Sequence, residues 1–246
     1  MTFSGFGHDT HVGNVREHNE DSYRVDAEIG LGVLADGMGG HEGGEVASRI
    51  VVEQVSNMVR SGEPLAEALV GAHRAVLEAA RNGEGRAGMG STALVAKLNA
   101  RSFEVVWVGD SRAYLWANGQ LTQITKDHSL VQHLVDQGDI TPEEARVHPQ
   151  RNYITQAIGM SDLNRLEVGR VQGALYRGQQ LLLCSDGLSG EVSDAEIAAI
   201  LDLDLKEQQK VDLLIQKALE NGGADNITVL LVSAADDAPS KTESTR

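Results

Sequence analysis

Five aspartates and one glutamate recur at one kind of place in this 246-residue chain. Asp36, Asp110 and Asp186 follow apolar runs that read as strands (residues 30–35, 102–108 and 181–184), directly or within two residues. Asp225 and the pair Glu20-Asp21 come just before such runs. In antiparallel sheets the end of one strand lies beside the start of its neighbour. Asp21 can therefore meet Asp36 at one sheet edge, and Asp186 can meet Asp225 in the same way. Six acids at one rim would repel and raise each other's pKa values unless cations neutralise them. Donors that are all oxygen suit hard cations that retain waters, such as Mg²⁺ or Mn²⁺. Any one of these aspartates alone reads more simply as a turn cap. The metal reading rests on the whole set.

Positioning these groups requires a particular order of elements. Short extended segments open the chain, with strands at 22–25 and 30–35 and a glycine-rich turn after Asp36. Val46, Ala47, Ile50, Val51, Val55 and Met58 recur at helical spacing. Pro64 opens a second helix whose apolar face carries Leu65, Ala68, Leu69, Ala72, Val76 and Ala79. The period then becomes that of strands, at 92–98 and 102–108 around a hairpin at 99–101, and at 113–116 and 120–123 around Asn118-Gly119, a type I′ signal. Residues from about 127 to 164 are helical and loop-like and read as a flap. A buried strand at 181–184, a helix capped by Ser193, a helix from about 206 to 220 and a strand at 227–232 follow. The order lacks strict βαβα alternation, so an α+β protein is expected: a four-layer α-β-β-α sandwich, two antiparallel sheets with helix pairs on both outer faces. One domain over 1–234 and a disordered tail over 235–246 are expected.

Charge and composition remove several classes. With 36 acidic against 21 basic residues the formal charge is −15, which excludes a sequence-independent grip on nucleic acid or anionic lipid. No apolar run approaches the ~18 residues of a membrane span, and the N-terminus lacks signal-peptide character, so a cytoplasmic protein is expected; it is also expected to be a monomer. The single cysteine excludes an intrachain disulfide. Cys184 is not followed by a Cys-x₅-Arg loop and reads as a small buried apolar residue. Residues 83–88 formally match G-x-G-x-x-G, but they follow a helix and precede a strand, the reverse of a nucleotide-binding turn.

The residues around the acids form an ordered series: Arg16-Glu17-His18-Asn19-Glu20-Asp21, Asp36-Gly37-Met38-Gly39-Gly40-His41, Gly90-Ser91-Thr92, Val108-Gly109-Asp110-Ser111-Arg112, Ser185-Asp186-Gly187 and Asp225-Asn226. Over residues 5 to 234 the chain resembles the PPM (PP2C-like) metal-dependent serine/threonine protein phosphatases in their compact bacterial form. The resemblance implies the PP2C-like β-sandwich fold. It implies two core Mn²⁺ or Mg²⁺ ions, with Asp36 bridging them. Glu20 and the Gly37 carbonyl then serve one ion, and Asp186 and Asp225 the other. Asp110 with Asp186 would hold a weaker third ion, Asp21 would orient water, and Arg16 would bind phosphate. Phosphoserine and phosphothreonine in proteins would be hydrolysed by a metal-bridging hydroxide without a phosphoenzyme. The implied partners are a serine/threonine kinase and its substrates.

Chemistry agrees with these roles, since paired divalent ions acidify water and an arginine forks onto phosphate oxygens. A surface salt bridge of Arg16 with Glu17 or Glu20 is the plainer alternative. Many eukaryotic members have a histidine directly after Asp-Gly as general acid, where this chain has Met38. His41 is one substitute, a structural role for it is another, and a water on the metal is a third. His18 and His128 read as structural or flap-facing. Two rivals are a phosphatase dedicated to one regulator, such as a phosphorylated anti-sigma antagonist, and a pseudophosphatase that only binds. Appended sensor domains, the mark of the first, are absent from the sequence, and the second would have lost metal carboxylates.

Overall fold

Alternation along the strands sorts the apolar residues into three layers of a computed structural model, which describes residues 3–39, 42–99, 102–160 and 166–234. In chain order the elements are β1 (Phe3–His11), β2 (Asp21–Asp26), β3 (Leu31–Met38), α1 (Glu42–Arg60), α2 (Leu65–Arg81), β4 (Gly90–Ser91), β5 (Ala93–Asn99), β6 (Ser102–Val108), β7 (Arg112–Ala117), β8 (Gln120–Gln123), α3 (Leu130–Gln137), α4 (Pro142–Val147), β9 (Gly169–Ala174), β10 (Gln180–Cys184), α5 (Asp186–Ser189), α6 (Asp194–Leu201), α7 (Glu207–Asn221) and β11 (Ile227–Ala234). One sheet has the order β1-β11-β10-β7-β8 and the other β2-β3-β5-β6-β9, with β4 paired to β3. Pairing is antiparallel throughout both sheets.

Odd and even residues of a strand face opposite ways, and each face has its own partner. Leu31, Val33 and Ala35 of β3 pack under α1 and α2, against Val51, Val55, Leu69 and Val76. Leu34 points the other way and meets Leu94, Leu181, Leu183 and Leu230 between the sheets. Leu182 and Cys184 face outward onto α6 and α7, through Ile197, Leu214 and Ala218. The result is the helix–sheet–sheet–helix order expected. Helix α1 is rich in β-branched residues that are mediocre helix formers, so its stability comes from burial. Each fully buried Val or Leu contributes about 1.5–3 kcal/mol.

Several local expectations are met or shifted. Asn118 and Gly119 both have positive φ, 53° and 77°, as a type I′ turn demands. Asn99 pairs with Ser102, while hairpin residues 100–101 lie outside the described residues, as do 161–165 within the flap and the tail 235–246. Strands β1 and β9 carry little periodic signal. In β9, glycines replace apolar residues because a Cβ at Gly169 or Gly173 would strike the Trp107 or Phe103 ring. Asp36 lies inside β3, not beyond it, because Gly37 and Met38 continue the strand by pairing with β4. No helix among the described residues is long and apolar enough to cross a membrane.

Candidate active site

Strand register brings the acids together. Asp21 and Asp36 stand directly opposite each other in the β2–β3 pair. In the other sheet Cys184 pairs with Val229, so Asp186, just past β10, and Asp225, just before β11, leave at one edge. Asp110 sits on the β6–β7 turn. Arg16, Glu20, Asp36, Gly37, Asp110, Asp186 and Asp225 line a single cleft of about 980 Å³, shared with His18, Met38, Thr92 and Asn152. Asp21 is buried behind it. His41 lies outside the described residues.

Polar residues fix the acids from behind. The Ser185 and Thr228 hydroxyls donate to Asp21 Oδ2 at 2.9 and 2.6 Å, joining the two sheets. Asp21 Oδ1 is buried with no hydrogen-bond partner. The Asp36 amide donates to Thr92 Oγ1 at 3.0 Å, and Thr92 in turn shares a 2.8 Å bond with Ser111 Oγ. Asn226 donates to the carbonyls of Val12 and His18 and accepts from the Glu20 amide at 2.8 Å, which ties the Arg16–Glu20 loop to β11. At Gly37 a Cβ would collide with the Gly44 carbonyl, so only glycine permits this backbone approach. The supporting roles of Ser185, Thr228, Thr92, Ser111 and Asn226 escaped the sequence reading. A buried Thr in an apolar strand was the one signal available for Thr228.

Burial dominates the electrostatics, and neighbouring carboxylates add to it. Asp21 is pushed up to about 7, Asp110 to about 8 and Asp186 to about 6, and Asp36 stands well above the usual carboxylate range. Asp36 feels Asp21, Asp186, Asp110 and Asp225 together. Arg16 Nη2 donates to Asp225 Oδ2 at 2.7 Å, and Glu20 adds to the field on the guanidinium. More than half of the Arg16 side chain remains exposed. That hydrogen bond and the charge of Asp225 raise the Arg16 pKa, as the partner's field favours the cation.

Do these residues fit divalent ions? Among the described residues no three acidic, histidine or cysteine side chains already converge in ligand geometry. Arg16 instead sits on Asp225, and Asp36 feels the charge of Asp186. The donor chemistry fits nonetheless. The set is all oxygen, mutually repelling and partly dry, and the orphaned Asp21 Oδ1 needs a partner that the protein does not supply.

Comparison with known proteins agrees with this geometry. The family model described as Protein phosphatase 2C matches residues 11–228. The serine/threonine protein phosphatase PstP of Mycobacterium tuberculosis is 41% identical over 230 residues, which cover 91% of this chain and 44% of that protein. The chain thus spans less than half the length of that relative. The serine/threonine phosphatase stp of Listeria innocua is 37% identical over 237 residues, covering 91% of this chain and 93% of its own. A crystal structure of the PstP catalytic domain in complex with two manganese ions superposes with a TM-score of 0.84 at 36% identity, covering 94% of this chain and 98% of that one. With a family match over most of its length and relatives 37% and 41% identical, the chain belongs to the protein phosphatase 2C family.

Proposed function

We propose that the chain is a metal-dependent phosphatase hydrolysing phosphoserine and phosphothreonine in proteins, opposing a serine/threonine kinase. The observation that carries this reading is the gathering of Glu20, Asp36, Asp110, Asp186 and Asp225, from both sheets, on one cleft. Asp36, Glu20 and the Gly37 carbonyl would hold one ion, Asp186 and Asp225 with Asp36 a second, and Asp110 with Asp186 a weaker third. Manganese or magnesium would serve. When bound, the ions activate water for in-line attack and offset charge on the phosphoryl group.

The remaining steps belong to the protein. Burial raises the pKa of Asp36 and of Asp186, so ionisation of both would free them for cations. Release of Asp225 frees the Arg16 guanidinium to fork onto two phosphate oxygens at the cleft mouth. Asp21 would orient water at the back of the cleft, while Ser185 and Thr228 hold its Oδ2. The leaving Ser or Thr alkoxide needs a proton, for which His41 is the side chain proposed. With a net charge of −15, substrate is retained locally by the ions and Arg16 against a repulsive field. Hydrolysis of an aryl phosphate by the wild type and Asp36→Ala, with Mn²⁺ and with chelator, tests the reading. Activity that survives both chelation and the substitution would sink it.

A further inference from the structure

Asp110 stands on a turn that the packed layers hold on one side only. The turn Gly109-Asp110-Ser111 begins with Gly109 at φ 105°, a conformation L side chains rarely adopt. A Cβ at Gly109 would strike the Thr92 side chain, and Ser111 Oγ bonds Thr92 Oγ1 at 2.8 Å, so one flank rests on β4–β5. The other flank is held by residues 125–128, which lead into the excursion carrying α3 and α4. The His128 amide donates to the Gly109 carbonyl at 2.9 Å, and the Gly109 amide donates back to His128 Nδ1 at 3.3 Å. This closes a two-bond ring on the residue before Asp110. On either side of it, Trp107 Nε1 donates to the Lys126 carbonyl at 2.8 Å, and Arg112 forks onto Asp127, with Nη2 2.7 Å from Oδ2. The His128 and Trp107 rings lie 6.4 Å apart.

His128 also meets the return of the excursion. Its carbonyl accepts from the Thr155 amide at 2.8 Å, beside the Ser129–Ile154 bridge and the bond from the Leu130 amide to the Tyr153 carbonyl. One residue thus joins the excursion's entry, its exit and the Asp110 turn. We propose that His128 is a positioning residue through which the base of the flap sets the Asp110 carboxylate for cation binding. It acts by the acceptor Nδ1 and its own amide and touches neither ion nor substrate. The proposal rests on the reading of Asp110 as a metal ligand, so its test must separate the two.

Mn²⁺ titration by calorimetry, counting ions and resolving weak from tight binding, makes that separation. Asp110→Asn should remove the weak site and leave the tight ones. His128→Asn keeps an acceptor at the δ position and should bind within about twofold of wild type. His128→Leu, which has no acceptor, should weaken the same site by roughly tenfold or more, the usual effect of losing a supporting partner. If Asp110→Asn removes the weak site but His128→Leu does not weaken it, the role of His128 is overturned while that of Asp110 stands. Asn as damaging as Leu, or tight sites weakened equally, would show bulk packing and overturn it as well. Should Asp110→Asn leave every site intact, both assignments fall. Whether or not the leucine variant folds, nitrogen NMR of the Mg²⁺-loaded wild type must show His128 protonated at Nε2 only. A proton on Nδ1 would end the proposal.

Discussion

Helix α4, in the excursion between Ser129 and Ile154, and helix α6, on an outer face of the sandwich, begin with the same device. Thr141 and Ser193 each accept the amide of the residue three ahead, and Glu144 and Glu196 each reach back to the cap amide, at 2.8 and 3.0 Å. From there they diverge. Helix α6 sinks Ile197 and Leu201 into the layer over β10 and β11, whereas α3 and α4 bury no side chain. A six-residue helix has no stability of its own in water. The excursion is therefore held at its base, by His128, the Arg112–Asp127 pair and the Ser129–Ile154 bridge. Asp21, Asp36, Asp186 and Asp225 stand on packed sheet edges, while Asp110 leans on that base. Rigid layers fix the acids, and a loosely attached segment borders them.

The largest expected effect tests the rigid side. Asp36→Asn should lower kcat on an aryl phosphate by about three powers of ten or more, as loss of a shared metal ligand removes both water activation and charge offset. Hydrogen exchange in α4 should not change, and a matching change there would break the separation of the two regions. Next, Leu182→Ala should cost about 2–5 kcal/mol in denaturant unfolding because its methyl groups lie between β10 and the α6–α7 layer. Val147→Ala on α4, where the side chain is 80% exposed, should stay within about 0.5 kcal/mol. Equal costs would mean that the excursion packs as the layers do.

Ionisation sharpens the same contrast. Asp21, Asp110 and Asp186 have folded pKa values of about 7, 8 and 6, above the ~3.9 of an unfolded aspartate. Between those limits the folded state binds more protons than the unfolded one. Stability of the chelated protein should therefore fall as pH rises from 5 to 8. Saturating Mn²⁺ should flatten or reverse that slope. Melting curves at both pH values, with chelator and with metal, measure it, and a chelated protein more stable at pH 8 would contradict the buried-acid account.

What the sequence showed follows from how local each signal is. The places of Asp36, Asp186 and Asp225 were legible because an apolar run with an acid at its end needs only its own neighbours to be read. Asn118-Gly119 and the Ser193 cap were legible for the same reason. The grip of Ser185 and Thr228 on Asp21 was not, since those residues lie 164 and 207 positions away and meet only when the sheets stack. Strands β1 and β9 were obscured by glycines whose purpose is to admit a neighbour, Glu207 backbone at Gly7 and the Trp107 ring at Gly169. The two roles of His128 likewise require the β6–β7 turn to be in place. The partner of Arg16 had the same character, because Asp225 is 209 residues distant.

The smallest effects fall on the two caps themselves, where the local chemistry is matched. Ser193→Ala removes an acceptor from a helix that unfolds with the domain, so it should cost about 1 kcal/mol in global stability. Thr141→Ala removes the same acceptor from a helix that opens alone. Its loss should leave global unfolding nearly unchanged and instead speed hydrogen exchange in α4 by roughly fivefold, the same ~1 kcal/mol expressed in a local opening. Phosphopeptide hydrolysis should shift more than aryl phosphate hydrolysis in Thr141→Ala if the excursion meets the polypeptide around the phosphate. Global destabilisation by Thr141→Ala as large as that by Ser193→Ala would show that α4 unfolds with the sandwich. The excursion would then have to be treated as part of the same cooperative body as the acids it borders.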